Sequence, residues 1–296
     1  MARTSRAAGP LFIAGAVIIL TIGACGEARP LATSPGTVAS PTPGGTSPAA
    51  PTPTTPPVTA GPSTPPRNPA AYVEGVAYAP AFDPETFVDG IDHPFFPMVV
   101  GATFVFDGDE HVEVEVVDEN KDILGIAATV VRDRVFEDCV LIEDTRDWYG
   151  QDGAGNVWYL GEETAEYEDG EITSTAGSWE AGVDGALPGI VMLAEPQAGD
   201  SYHQEFYAGE AEDIGEVTAV TGSVSVPAGG WSGSDVLVTE EWTPLEPDVR
   251  ERKIYARGVG VIRIRAIQGG SEVTTLTSAE LPGDTFGEPG VLCARA

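Results

Sequence analysis

Cysteine and basic residues are scarce in this sequence. Its 296 residues include three Cys, which excludes a disulfide-dense scaffold and a zinc module with several Cys ligands. Only 15 Lys and Arg stand against 46 Asp and Glu, and the net charge is −31. A nucleic-acid binder needs a basic surface, and electrostatic docking on anionic lipid needs one as well. We therefore predict no nucleic-acid partner and no charge-driven contact with a lipid surface.

Catalytic sequence motifs are also missing. The chain contains no Gly-x-Ser-x-Gly elbow, no His-Glu-x-x-His pair and no phosphate-binding Gly-rich loop. A triad assembled in space from distant residues leaves no such motif, so an enzyme of another type stays open as an alternative. We interpret the protein as non-catalytic.

The one substantial apolar run lies at the N-terminus. Leu11 to Ile22 is an apolar run of about 12 residues, whereas a membrane-spanning helix needs roughly 20. It follows Arg3 and Arg6 and has the length of the apolar core of a signal peptide. The run ends in Ile22–Cys25, which resembles a bacterial lipobox, where small residues admit the signal peptidase and the Cys thiol takes the lipid.

These features predict how the chain is exported and held. Residues 1–24 are predicted to be a lipoprotein signal peptide, and Cys25 is the lipidated N-terminus that anchors the protein to the extracytoplasmic face of the cell membrane. An ordinary secretory signal with a chance Cys is the alternative. Residues 30–69 hold 13 Pro, nine Thr and four Ser, too little apolar surface to offset the entropy of ordering. We predict that residues 25–69 form a disordered linker.

Period-two alternation with turn signals dominates residues 70–296. Val112, Val114 and Val116 share one face of a predicted strand, which follows the hairpin signal Asp107-Gly108. No window of about 12 residues has a helical stripe. The pattern predicts one acidic all-β domain of roughly 10–13 strands, a large and mostly antiparallel meander curled into a barrel or a sandwich.

Two segments of the domain carry predictions of their own. The polar residues Asp118–Lys121 predict a turn between two strands. An apolar stretch framed by Gly and Pro within residues 181–199 interrupts the strand pattern. We interpret it as a buried crossover or as a lid over one mouth of a barrel.

The two cysteines that remain after lipidation of Cys25 predict a disulfide. Cys139 and Cys293 are then the only thiols, and the compartment is oxidising. Cys139 falls within a predicted strand, Val135–Ile142, so the bond would hold the Gly- and Pro-rich tail, residues 279–296, against the sheet. Two separate thiols, with Cys139 buried as a small hydrophobe, are the alternative.

Seven short segments, spread over about residues 90–280, together carry a resemblance to a known family. They are Ile91–Pro97, Gly101–Phe104, Asp147–Tyr149, Gly155–Glu162, Ser178–Gly182, Val226–Gly229 and Tyr255–Gly260. Together they resemble a family of exported bacterial lipoproteins of the actinobacterial type. The resemblance implies an extracytoplasmic β-rich domain and brings no catalytic residues. The family has Asn where this chain has His93, which makes His93 a poor catalytic candidate.

Two polar pairs are candidate metal ligands. His203 and Glu205 alternate within a predicted strand and are expected on one face, although no third ligand can be named. Asp152 and Asn156 supply oxygen ligands at loop spacing without the full calcium-loop pattern. A hydrogen-bonded histidine and a plain hairpin turn are the alternatives. We predict no cofactor, with calcium as the one candidate.

Large apolar side chains are the candidates for lining a ligand cavity. They are Trp148, Trp158, Trp179 and Met192. If they line an enclosed cavity, the protein is a binding or carrier module for a hydrophobic small molecule. If they pack into a filled core, it is a structural or protein-interaction lipoprotein that uses its acidic surface for an envelope protein or a cation.

Overall fold

The computed structural model describes residues 66–293. The predicted signal peptide, Cys25 and nearly all of the predicted linker lie outside the described residues. Within the described range the chain is all-β, with one short 3-10 helix at Pro84–Thr86 and no helix long and apolar enough to cross a membrane. The strands are β1 (Phe87–Val88), β2 (Ile91–His93), β3 (Phe96–Met98), β4 (Thr103–Asp107), β5 (His111–Ile123), β6 (Ile126–Glu137), β7 (Val140–Asp152), β8 (Val157–Glu168), β9 (Glu171–Ser174), β10 (Trp179–Glu180), β11 (Leu187–Met192), β12 (Ser201–His203), β13 (Glu205–Phe206), β14 (Ile214–Ala219), β15 (Gly222–Val226), β16 (Gly229–Gly233), β17 (Val236–Trp242), β18 (Arg250–Ala256), β19 (Gly260–Gln268), β20 (Val273–Leu281) and β21 (Asp284–Gly287).

One large antiparallel sheet curls into a nearly closed barrel. Strands β4 to β8 form a meander of successive hairpins, and β17 to β20 form a second one. Strand β20 pairs with β4 and joins the two meanders. On the far side β8 pairs with β11, β11 with β13, β12 with β14, and β14 with β17. The predicted all-β meander is confirmed, and it takes the barrel form.

The interior of the barrel is apolar on one side and polar on the other. In β4, β5, β19 and β20 the buried positions are mostly apolar, whereas β6 to β8, β13, β17 and β18 bury carboxylates, tyrosines and a lysine. Tyr149, Tyr159, Tyr202 and Tyr255 are each less than about 2% exposed. Side chains therefore fill the interior.

The prediction of a turn at Asp118–Lys121 is wrong. These residues belong to β5, which runs on to Ile123, and the chain reverses at Leu124-Gly125 with φ of 55° and 86°. Most of the polar side chains at 118–122 are exposed, so their polarity does not require the strand to end. A two-residue reversal needs positive φ at both positions, and the glycine permits it.

The apolar stretch within residues 181–199 is neither a crossover nor a lid. Leu187–Met192 is β11, a strand of the barrel that pairs with both β8 and β13. Gly189 allows this pairing, because a Cβ there would lie 2.2 Å from the carbonyl carbon of Gln204. Residues 188–192 are all buried, so both faces of this strand are covered. A strand covered on both faces is apolar along its length, which hides the alternation that identifies other strands.

The predicted disulfide is present. Cys139 and Cys293 are bonded, with 5.0 Å between their Cα atoms and 154 positions between them in sequence. Cys139 does not lie in a strand, however. Asp138 and Cys139, with φ of 49° and 61°, form the two-residue turn between β6 and β7, so the bond fixes the C-terminal segment to a hairpin tip rather than to a strand.

Contacts with the barrel begin before residue 70. Arg67, placed in the predicted linker, donates to Asp200 with 2.6 Å between Nη1 and Oδ2. This hydrogen bond lowers the pKa of the Asp200 carboxyl. Asn68 donates from Nδ2 to the carbonyl of Ser201, and Ala70 is fully buried. The edge of β12 therefore holds the start of the domain.

Candidate functional site

The polar half of the barrel interior contains a buried carboxylate network. Antiparallel pairing places Asp147 of β7 directly opposite Glu162 of β8, and Tyr149 opposite Tyr159. Directly opposite residues share a face, so all four side chains lie together. Asp147 is 0% exposed and Glu162 is 2% exposed, and the two tyrosine rings stack with 4.9 Å between centroids.

The Tyr159 hydroxyl lies between the two carboxyls. Its oxygen is 2.7 Å from Asp147 Oδ1 and 2.7 Å from Glu162 Oε2. A hydroxyl has one proton to donate, so the second short contact needs a proton on one of the carboxyls. Burial raises the pKa of Glu162 to about 8 and raises that of Asp147 well above its usual range. The pair therefore holds a proton at neutral pH.

The network continues across the barrel through Glu205 and Asp213. Both are nearly fully buried, and burial raises the pKa of each well above its usual range. The next cause for Glu205 is the charge of Asp213, followed by that of Glu162. The hydroxyl of Tyr149 is also buried and has no hydrogen-bond partner. These groups connect the Asp147 end of the network to a second cluster.

The second cluster contains the only buried cation among residues 66–293. Lys253 of β18 is 1% exposed, and its Nζ lies 2.6 Å from Glu241 Oε2. Burial alone would lower the pKa of Lys253, but the charges of Glu241 and Glu251 outweigh it and the pKa is raised. Burial raises the pKa of Glu251 to about 7. Lys253 therefore stays charged among carboxyls that cannot all ionise.

A small cavity opens beside the carboxyls of the second cluster. Asp213, Glu241, Thr243 and Glu251 line it, and it has room for roughly one water molecule. Such a network can store and share protons, since neighbouring carboxyls titrate as a coupled set. It offers no open cleft in which a substrate could meet an acid and a base.

In the part of the chain that the structure describes, the carboxylate network contains no group of three His, Cys, Asp or Glu ligand atoms within 4.8 Å of one another. Within the described residues, the set of three potential ligand atoms that comes within 4.8 Å is His111, Glu113 and Cys293, outside the network. Cys293 is committed to the disulfide, and Glu113 pairs with Arg134 at 3.2 Å. This set therefore does not form a metal site either.

The predicted metal pair Asp152 and Asn156 braces a turn. Asp152 Oδ1 accepts from the backbone N–H of Ala154 and of Asn156, both at 2.9 Å. Its Oδ2 accepts from the Asn156 side-chain amide at 2.8 Å and from the Trp158 indole at 2.9 Å. Four donors occupy the carboxylate, so the oxygens that calcium would need are already bound.

The structure separates the surroundings of His203 and Glu205, the two candidate metal ligands in this part of the sequence. The strand is interrupted at Gln204, between β12 and β13. His203 packs among aromatic rings, with centroids 4.1 Å from Tyr78 and 5.3 Å from Tyr72, and burial lowers its pKa to about 4. Glu205 belongs to the carboxylate network instead. His203 is therefore a neutral packing residue.

The predicted ligand-lining residues pack against protein. Trp158 lies against Phe82 with 5.1 Å between centroids, and Trp179 meets Tyr159 edge-on at 5.3 Å. Lys121 Nζ lies 4.1 Å from the centroid of Trp148. Met192 is fully buried. These side chains belong to the filled core.

Sequence reasoning missed the carboxylate network because it assigned the acids to the surface. The signal lies in the alternation: Asp147 and Tyr149 share a strand face, and so do Glu251, Lys253 and Tyr255. A carboxylate on the same strand face as an aromatic residue indicates a buried acid.

Comparison with known proteins adds little. No family model matches the chain, and no curated protein matches it. Two solved structures are similar to it. One is a proposed lipoprotein from Parabacteroides distasonis ATCC 8503, with 10% sequence identity and a TM-score of 0.35. The match covers 65% of this chain and 100% of that chain. The other is a proposed exported protein with a YmcC-like fold from Bacteroides fragilis NCTC 9343, with 15% identity, coverage of 64% and 100%, and a TM-score of 0.31. Likenesses this weak carry no argument, so the family resemblance stays a prediction.

Proposed function

We propose that the protein is a membrane-tethered extracytoplasmic interaction module, a barrel with a filled core that meets its partner through its outer surface. The observation that supports this is the occupied interior, where Tyr149, Tyr159, Tyr202 and Tyr255 are each about 2% exposed or less. The lipobox ending at Cys25 and the Pro-rich linker support the tether. A carrier for a hydrophobic molecule would need an enclosed apolar volume in place of these side chains.

The cavities of the described part also favour the outer surface. Three of them measure about 250, 490 and 720 Å³, and all three are open to solvent and lined partly by charged residues. The one beside the carboxyls of the second cluster has room for roughly one water. Surface grooves of this kind suit contact with a polar partner rather than storage of an apolar one.

A test for a bound hydrophobic molecule separates the two functions. We expect the purified protein, examined by native mass spectrometry and by solvent extraction, to carry no stoichiometric lipid and to show no saturable uptake of a fluorescent fatty acid, because the core has no space for an acyl chain. One lipid per chain, or uptake that saturates at one equivalent, would contradict the filled-core proposal.

Removal of the predicted acylation site tests the tether. We expect a Cys25→Ala precursor to lose acyl labelling and to leave the membrane fraction, because Cys25 is the proposed attachment point of the lipid. Metabolic labelling and fractionation measure both. Cys139→Ala is the matched control, since it removes a different cysteine and should leave labelling intact. A Cys25→Ala protein that stays labelled and membrane-bound would refute the anchor.

A further inference from the structure

Three arginines lie together on the outer face of this acidic domain. Arg252 of β18 stands directly opposite Arg265 of β19, and Arg263 lies two residues before Arg265 on the same strand. Like charges directly opposite each other destabilise a sheet. The arrangement therefore needs an explanation other than folding.

The protein neutralises these arginines incompletely. Arg252 donates to Glu240 Oε1 at 2.6 Å, while Arg263 donates to the backbone carbonyl of Ser225 at 2.8 Å. Eight of the 11 basic side chains between residues 66 and 293 form ion pairs with acids. The exceptions are Arg263, Arg265 and Arg250, which stacks on Trp242. Two unpaired arginines side by side are unexpected where acids are in threefold excess.

The three arginines line one groove. We call it the arginine groove: it measures about 490 Å³ and is lined by Arg252, Arg263 and Arg265 with residues from 266 to 275. No acidic side chain lines it. The Nε of Arg252 is buried and has no hydrogen-bond partner, so a donor is left unused beside the groove. The groove has the volume of a small-molecule site.

We propose that the arginine groove binds a compact phosphate-bearing anion. Guanidinium forks match phosphate oxygens and donate two hydrogen bonds each. Glu240 pairs with Arg252, and the Glu272 carboxylate accepts from the backbone N–H of Ser271 beside the groove, so the local charge is about +1. A positive site with several guanidinium forks suits a phosphate, which offers more acceptor oxygens than a carboxylate does. A long polyanion would extend past the groove onto acidic surface and be repelled. The inference rests on the proposed function, to which it adds a ligand class.

Calorimetry with inorganic phosphate and with glycerol 3-phosphate tests the groove in the full chain. We expect saturable binding of one equivalent, weakened at least tenfold by Arg265→Ala and by Arg263→Ala. Arg146→Ala is the matched control, because Arg146 of β7 carries the same charge in an exposed ion pair with Glu119 of β5. Absent binding, or equal weakening by Arg146→Ala, would overturn the proposal.

Vesicles distinguish the source of the phosphate. We expect no recruitment of unlipidated protein to phosphatidic acid vesicles, with phosphatidylcholine vesicles as the reference. Recruitment that Arg265→Ala abolishes would support the same phosphate chemistry with a lipid headgroup as its source, whereas recruitment that Arg265→Ala leaves unchanged would count against the groove. Failure to bind phosphate would not affect the filled-core proposal, because the lipid content of the protein tests that proposal separately.

Discussion

The melting temperature of the protein is expected to fall by on the order of 10 °C or more as the pH rises from 5 to 8.5. Burial raises the pKa of Glu143 and of Glu251 to about 7 and that of Glu162 to about 8. In the unfolded chain these carboxyls titrate near pH 4.5. Between the two values these carboxyls hold more protons in the folded state than in the unfolded state, so their contribution to stability falls as the pH rises. Burial lowers the pKa of His93 and of His203 to about 4, which opposes the fall below about pH 6.5, but the carboxyls are more numerous and titrate over a wider range.

The size of the expected fall in stability can be judged from a single carboxyl, that of Glu251. For Glu251, a pKa of about 7 in place of about 4.5 corresponds to about 3 kcal/mol of free energy of unfolding lost between these values. In a domain of this size 1 kcal/mol shifts the melting temperature by about 2–4 °C. The contribution is fully present below pH 4.5, decreases as the pH rises, and is lost once the pH has passed the folded pKa of about 7.

Matched variants attribute the pH dependence to the carboxylate network. Glu162→Gln keeps the shape of the side chain and cannot ionise, so we expect a shallower fall between pH 5 and 8.5. Glu163→Gln changes the next residue, which is exposed, and should keep the wild-type slope. High salt should change little, because it screens surface charges more than buried ones. A melting temperature that is constant or rises over this range would refute the network.

Lys253→Met is expected to lower the free energy of unfolding by about 3–5 kcal/mol at pH 7.5. The substitution removes the cation that lies 2.6 Å from Glu241 and leaves Asp213, Glu241 and Glu251 buried without it. An unpaired buried charge is the costly case. Urea denaturation monitored by tryptophan fluorescence measures the change. The loss should shrink at pH 5, where Asp213 and Glu251, whose pKa values burial raises, gain protons.

The chain offers a close control in its only other lysine. Lys121 is 40% exposed at its side chain, where it contacts Glu180 at 3.0 Å and the face of Trp148. Lys121→Met should cost no more than about 1 kcal/mol. Adding Glu241→Gln to Lys253→Met should restore part of the stability, since it removes one unpaired charge. Equal effects of the two lysine substitutions would show that Lys253 does not neutralise the network.

Local pattern was sufficient to identify the apolar face of β5. Val112, Val114 and Val116 alternate with glutamates, and the structure buries all three in β5, as expected. The same rule failed for Leu187–Met192, because a strand covered on both faces and paired on both edges shows no alternation. It failed again at Leu124-Gly125, where the turn depends on backbone φ and the polar residues before it stay in the strand.

The sequence by itself determined the class of the fold, the disulfide partners and the predicted export and lipidation signals, because each depends on composition, on near neighbours or on elimination among three cysteines. Only the tertiary structure decided which acids are buried and which arginines meet. Asp147 and Glu205 are 58 positions apart, yet the barrel brings them into one network. Arg252 and Arg265 meet through strand register. Register and barrel closure depend on pairings between distant segments, and no local pattern encodes them.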